Sequence, residues 1–168
     1  MVSGGLELST LVGAVSALFL VSLGAALYQA GAPDGTPRLY RVILPVGDIE
    51  RAARFYSELL GAKGRRISPG RHYFDAGEII LALVDPGADG DGRKARPNQD
   101  YVYFAVRDLE SVFARAERLG GLASEIGDGG LPMGQIATRP WGERSFYMAD
   151  PFGNPLSFVD EATLFTGR

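Results

Sequence analysis

Apolar and polar positions follow two periods along this chain, and each period occurs twice. From Leu39 the run LYRVILPV alternates in the manner of a strand with one face buried. Asp48 follows, and then Ile49, Ala52, Ala53, Tyr56, Leu59 and Leu60 recur at helical spacing until Gly61. This predicts a helix with Asp48 as its N-cap and Gly61 as its stop. The pattern then returns: Asp100 opens DYVYFAV, Asp108 stands as a second cap, and Leu109, Val112, Phe113, Ala116 and Leu119 form a second stripe before Gly120 and Gly121. Val42 aligns with Val102, Val46 with Val106, Asp48 with Asp108, Glu50 with Glu110 and Gly61 with Gly121. Such self-similarity marks a duplicated unit.

After each helix the helical period disappears and strand-like pieces take over. Arg71 to Asp75 (RHYFD) turns at Ala76-Gly77 into Glu78 to Val84, and Glu143 to Ala149 turns through DPFGN into Pro155 to Asp160. Both read as hairpins. The chain is therefore expected to be α+β, with two β-α-β-β-β modules at 38–86 and 100–161 joined by the polar link Pro86 to Gln99. A lone unit of this kind leaves a sheet face uncovered, so the modules must pair, within the chain or between chains. Together they are expected to form a concave mixed sheet with the helices outside.

Residues 1–37 have a different texture. No charge occurs between Glu7 and Asp34, and Leu11 to Tyr28 would rise about 27 Å as a helix, close to the hydrocarbon thickness of a bilayer. An apolar helix over 8–30 acting as a membrane anchor is the leading expectation. A cleaved signal ending near Ala30-Gly31-Ala32 and a helix packed on an apolar patch are the alternatives. Arg38 and Arg41 follow the run and no Lys or Arg precedes it, so an anchor would hold the domain on the cytoplasmic side.

Composition narrows the chemistry. The 168 residues suffice for one packed domain, 46% of them are hydrophobic, and the net charge of −3 comes from scattered residues of both signs. No basic stripe suits a phosphate backbone, which argues against nucleic acid as a partner. The absence of Cys removes thiolate nucleophiles, disulfides and zinc-thiolate or iron-sulfur sites, and the single His72 removes any site needing two histidines from one chain.

The duplicated order, the opening LPVGDIERAARFYSELLG and the closing GERSFYMADPFGNPLSF resemble the vicinal oxygen chelate superfamily, from about Arg38 to Phe158. That superfamily includes glyoxalase I, extradiol dioxygenases, and fosfomycin- and bleomycin-resistance proteins. The resemblance implies a homodimer that buries module edges against a second copy, and four metal-ligand positions, on the first and last strand of each module, usually His or Glu. Here they fall on Arg41, Ala82, Tyr101 and Ser157. Arg is permanently protonated and Ala has no donor, so no metal and no other cofactor is expected.

Strand alternation then sorts the lining of a pocket. If Arg41 points to the concave face, so do Ile43 and Pro45, while the same parity selects Tyr101, Tyr103 and Ala105 in the second module. Ser157 shares that face with Ser145 and Tyr147, positions that the resemblance assigns to a substrate site. In the first hairpin either His72 or Tyr73 faces inward, and Trp141 on PWGER is a further candidate. The expected ligand-binding set is thus Arg41, His72, Tyr101, Tyr103, Trp141, Ser145, Tyr147 and Ser157. It suits a small, partly apolar organic ligand with an acidic or carbonyl group for Arg41, unless Glu78 or Asp100 meets that guanidinium instead. Two functions stand: a metal-free small-molecule binding protein, or an enzyme of lyase or dioxygenase type with an atypical metal site or none.

Overall fold

Each helix starts where an aspartate can cap it. In the computed structural model, which describes residue 1 and residues 37–167, Asp48 Oδ1 accepts the Arg51 backbone N–H at 2.9 Å and Asp108 Oδ1 accepts that of Ser111 at 2.9 Å. Helix α1 accordingly spans Ile49–Leu60 and α2 spans Leu109–Leu119. Gly61 closes α1 at φ 64, a left-handed conformation that a side chain would strain. The stripe expected for α1 is buried from Ile49 to Leu59, with Phe55 added; in α2 Leu109, Val112 and Ala116 are buried while Phe113 and Leu119 are partly so. The apolar helix expected over 8–30 lies outside the described residues, and no helix among those described is long and apolar enough to cross a membrane.

The strands repeat the symmetry. β1 (Arg41–Pro45), β2 (Arg65–Ser68), β3 (Arg71–Ala76) and β4 (Ile79–Val84) form one sheet in the order β1-β4-β3-β2. β5 (Val102–Val106), β6 (Ala137–Thr138), β7 (Arg144–Ala149) and β8 (Pro155–Asp160) form a second in the order β5-β8-β7-β6. In each, the first strand runs parallel to the last and the others pair antiparallel, so both sheets are mixed.

The expected concave sheet with the helices outside is corrected twice: α1 packs on α2, with the helix sides of both sheets turned into one core, and the strands form two four-stranded ladders, not one. The reason for the second lies on the free edge of β1. Tyr40 and Val46 bond to β4, which turns Ile43 and Pro45 to the other edge. There the Ile43 carbonyl accepts from Asn98 Nδ2 at 3.1 Å and the Pro45 carbonyl accepts from Asn154 Nδ2 at 2.8 Å. Proline has no N–H to offer a neighbouring strand. Side-chain amides thus take the acceptors that a continued ladder would use.

One core serves both modules. Leu44, Leu83 and Phe74 of the first sheet, Phe146, Phe158 and Leu156 of the second, and the buried stripes of both helices belong to the same apolar cluster. In the second sheet Phe104, Phe158 and Phe146 stack across three strands at centroid distances of 5.1 and 5.2 Å, and Phe113 of α2 meets Phe146 edge-on at 5.1 Å. Such pairs add to the area they bury.

Within this core Tyr56 of α1 donates its hydroxyl to Asp150 Oδ2 at 2.8 Å, across the module boundary. Asp150 also accepts from the Phe152 and Asn154 backbone N–H groups and from Asn154 Nδ2. Burial, then the Asp150 charge and hydrogen bond, hold the Tyr56 phenol well above its ordinary pKa. Removing that hydroxyl strips a buried carboxylate of one of its donors. Tyr56→Phe is therefore expected to cost about 1.5–3 kcal/mol in equilibrium urea unfolding, as for a hydrogen bond to a charged group. A loss within experimental error would show that the contact does not tie the modules.

Candidate functional site

Cross-strand pairing decides which side chains share a face. Tyr73 pairs with Ala82, and Ala82 with Ile43, on the side of the first sheet away from the core. The neighbouring row, His72, Leu83 and Leu44, faces the helices. Arg41, Ile43, Tyr73 and Ala82 accordingly line a cleft of ≈ 1070 Å³, whose remaining wall is the link between the modules, including Lys94 and Arg96. Pro86, Val84 and Pro45 supply apolar surface there.

Arg41 is the centre of this cleft. Its guanidinium lies over the rings of both Tyr40 and Tyr73, 5.0 Å from each centroid. Its Nε is buried and has no hydrogen-bond partner, and none of the ion pairs among the described residues involves it. Asp100, one of the two carboxylates weighed as a partner for Arg41, enters no ion pair among the described residues. A guanidinium lying against two rings, with its Nε without an acceptor, can take up an anionic group that reaches its remaining donors.

The second sheet presents the equivalent row: Tyr147 pairs with Ser157, and Ser157 with Tyr103. The rings of Tyr101, Tyr103 and Tyr147 pack edge-on at 5.0 to 6.4 Å, and the buried Ser157 Oγ has no partner. Burial first, then Tyr147, pushes the Tyr103 phenol up to about 12, and burial also raises that of Tyr101. Both therefore stay protonated at neutral pH and serve as donors rather than bases.

The expected residue set thus divides. Arg41 lines the cleft, whereas Tyr101, just before β5, and Tyr103, Ser145, Tyr147 and Ser157 of the second sheet contribute nothing to the cleft's lining. Ser145 is fully buried and occupied, accepting from Arg139 Nε at 3.0 Å. Trp141 stands on a loop at 37% exposure, its indole N–H donated to Glu143. His72 is placed on the helix side, its ring 5.1 Å from that of Phe74, so of the two open possibilities Tyr73 is the one that faces the cleft. The repeat carried the signal for Tyr73, since Tyr147 holds the matching place opposite Ser157.

Two features escaped the sequence reading. The link, read as polar spacer, brings Arg93, Lys94 and Arg96 to the cleft. Arg139 is 4% exposed with no carboxylate: its guanidinium donates to Ser145 Oγ and to the carbonyls of Pro132, Met133, Gln135 and Ser145, and lies 5.0 Å from the Tyr147 ring. It locks the irregular 132–135 segment to β7, and no local pattern announces it.

A divalent metal does not fit the four positions. Arg41 contributes a permanent positive charge, Ala82 on the same face has no donor, and Tyr101 and Ser157 belong to the second module. Among the described residues no group of three or more His, Asp or Glu side chains converges on a common point.

Residues 38–158 match the family model described as the Glyoxalase/Bleomycin resistance protein/Dioxygenase superfamily. Among solved structures, a lactoylglutathione lyase from Agrobacterium tumefaciens is 21% identical, with 76% of this chain and 96% of that one covered at a TM-score of 0.55. An oxidase, ChaP-H1, is 23% identical over 74% of this chain and 96% of its own, at a TM-score of 0.57. A bleomycin-binding protein complexed with bleomycin is 20% identical over 74% and 98%, at a TM-score of 0.52. At these identities the likeness is one of fold. No curated protein matches the chain.

His72 yields a pH test. Burial lowers its pKa from the ordinary 6.5, the nearby Arg66 guanidinium lowers it further, and Glu50 partly offsets this. Neither ring nitrogen has a hydrogen-bond partner, and a Cβ at Gly64 would come within 2.3 Å of Nε2, so the ring is seated tightly. With the folded pKa below the unfolded one, stability should be full above 6.5 and fall as pH drops from there towards the folded value. The carboxylates with lowered pKa values, Asp89, Asp91, Asp108 and Glu110, lose their contribution only at more acid pH. Urea unfolding of wild type from pH 8 to 5 should show this slope, and His72→Leu should flatten it. An equal slope in both would place the titration elsewhere.

Proposed function

The chain belongs to the Glyoxalase/Bleomycin resistance protein/Dioxygenase superfamily, and from the chemistry of its cleft we propose that it is a metal-free small-molecule binding protein. The observation that carries this reading is Arg41, a guanidinium lying over the rings of Tyr40 and Tyr73 with a buried, unpartnered Nε. It stands where metal-dependent relatives are expected to place a ligand, and it offers recognition of an acidic or carbonyl group instead. An apolar wall of Ile43, Pro45 and Val84 suits the body of an organic molecule.

The alternative, an enzyme of lyase or dioxygenase type, draws on the likeness in fold to a lactoylglutathione lyase and an oxidase. Against it stands the placing of titratable groups. His72, the only side chain whose ordinary pKa suits acid-base work at neutral pH, lies on the far side of the first sheet, and the raised phenols of Tyr101 and Tyr103 are donors only.

We infer further that two chains pair. Ile43 and Tyr103, at the centre of the outward rows of the two sheets, are 50% and 56% exposed. Setting the first sheet of one copy against the second sheet of another would cover both and bring Tyr101, Tyr103, Tyr147 and Ser157 over the cleft of Arg41. The apolar run Leu11 to Tyr28, outside the described residues, has the length to tether such a dimer to the inner face of a membrane.

Two measurements test these readings. A thermal-shift screen against metabolites and antibiotics should yield a ligand that raises the melting temperature. Arg41→Ala should weaken that ligand by about 2–5 kcal/mol while changing unfolding stability by less than about 1 kcal/mol. Elemental analysis of the same preparation should return far less than one transition metal per chain. One tightly held metal, or a ligand indifferent to Arg41→Ala, would overturn the binding reading. Sedimentation velocity at tens of micromolar should show a dimer, which Tyr103→Glu weakens; a monomer throughout would contradict the pairing but leave the cleft.

A further inference from the structure

The cleft is cationic in an acidic chain. The protein has 17 Lys and Arg against 20 Asp and Glu, yet the cleft is lined by Arg41, Arg71, Arg93, Lys94 and Arg96 against only Asp89 and Asp91. Both acids are committed. Asp89 accepts from Ser68 Oγ at 2.7 Å and the Gly70 N–H at 2.8 Å and pairs with Arg71 Nε at 3.0 Å. Asp91 accepts from Arg93 Nε at 2.6 Å. Arg41, Lys94 and Arg96 remain, and no ion pair among the described residues involves any of them.

Three like charges around one cavity repel each other, and a cleft with low-dielectric walls strengthens their joint field. A ligand with one negative charge would leave two of them uncompensated. Resting on the reading of this cleft as a small-molecule site, we propose that its ligand is an organic anion with at least two negative charges on an apolar body. Arg41 holds one anionic group in its fork between Tyr40 and Tyr73. Lys94 and Arg96 on the link attract the second, and Ile43, Pro45 and Val84 receive the apolar part. The link between the modules is thereby a specificity-determining wall of the site.

A charge ladder on one ring tests this: benzyl alcohol, benzoate, terephthalate and trimesate, carrying no, one, two and three carboxylates. Each is titrated into the full chain at low ionic strength and followed through backbone amide shifts of β1, β4 and the link. Terephthalate should bind about tenfold more tightly than benzoate, because the second carboxylate gains a charge-assisted contact. The doubly substituted Lys94→Gln/Arg96→Gln should bring terephthalate back to the benzoate level, while Arg118→Gln on α2, remote from the cleft, should change nothing. Equal affinity for benzoate and terephthalate, or no effect of the double substitution, would overturn the dianion inference and leave the small-molecule reading standing. If none of the four probes shifts the cleft amides, the small-molecule reading falls as well. If Arg118→Gln weakens terephthalate as much as the double substitution, the attraction belongs to the whole surface and the inference is wrong.

Discussion

The buried carboxylate of Asp150 is the constraint on which the arrangement of the two modules rests. It is 5% exposed, and out of water a carboxylate is tolerated only with its lone pairs engaged. Four donors do this: two backbone N–H groups of its own turn, the Asn154 amide and the Tyr56 hydroxyl from the other module. The Asn154 amide also reaches the Pro45 carbonyl on the free edge of β1, and Asn154 Oδ1 accepts the Asn98 backbone N–H where the link ends. One turn therefore fixes α1, β1 and the link together. A polar network of this kind is specific because each member left unpaired would cost more than it contributes when paired.

That fixed relation determines what the outward faces can do. The helix sides of both sheets close on each other through a continuous apolar cluster, so the opposite sides are turned outward together. Along each strand, alternation sends every second residue to that side. The internal symmetry is geometric but not chemical: the row Ile43, Ala82 and Tyr73 is mostly apolar beside a cation, while Tyr103, Ser157 and Tyr147 is a row of hydroxyls. Duplication supplied two like scaffolds, and divergence gave one a charged cleft and the other a donor surface.

Charge placement follows the same logic. Most ion pairs lie on exposed surface, Arg66 with Glu50 and Arg144 with Glu110 among them, where solvent screens them and each adds little. The cations without carboxylate partners are the informative ones. Arg139 is satisfied by carbonyls and a hydroxyl and acts as a brace, whereas Arg41 lies against two rings and, among the described residues, enters no ion pair. The same side chain is structural in one setting and receptive in the other, according to whether its donors find acceptors within the chain.

Local rules were enough for the elements. The caps Asp48 and Asp108, the stops at Gly61 and Gly120, the helical stripes and the hairpin turns are written within a few residues of where they act, and the repeat made each half check the other. That Arg41 and Ile43 share one face, and Tyr101 and Tyr103 another, followed from alternation, since the period of a strand is two; the resemblance supplied which face was taken as the pocket. Three things depended on contacts between distant residues and were not legible. Asn98 and Asn154 capping β1 separated one expected sheet into two, because an edge is closed by whichever groups reach it in space. The link folded back along the first sheet and turned a polar spacer into a cationic wall. And the expected site residues fell on two different surfaces, because strand parity says which face a side chain takes, while only the packing of one module on the other says which faces meet.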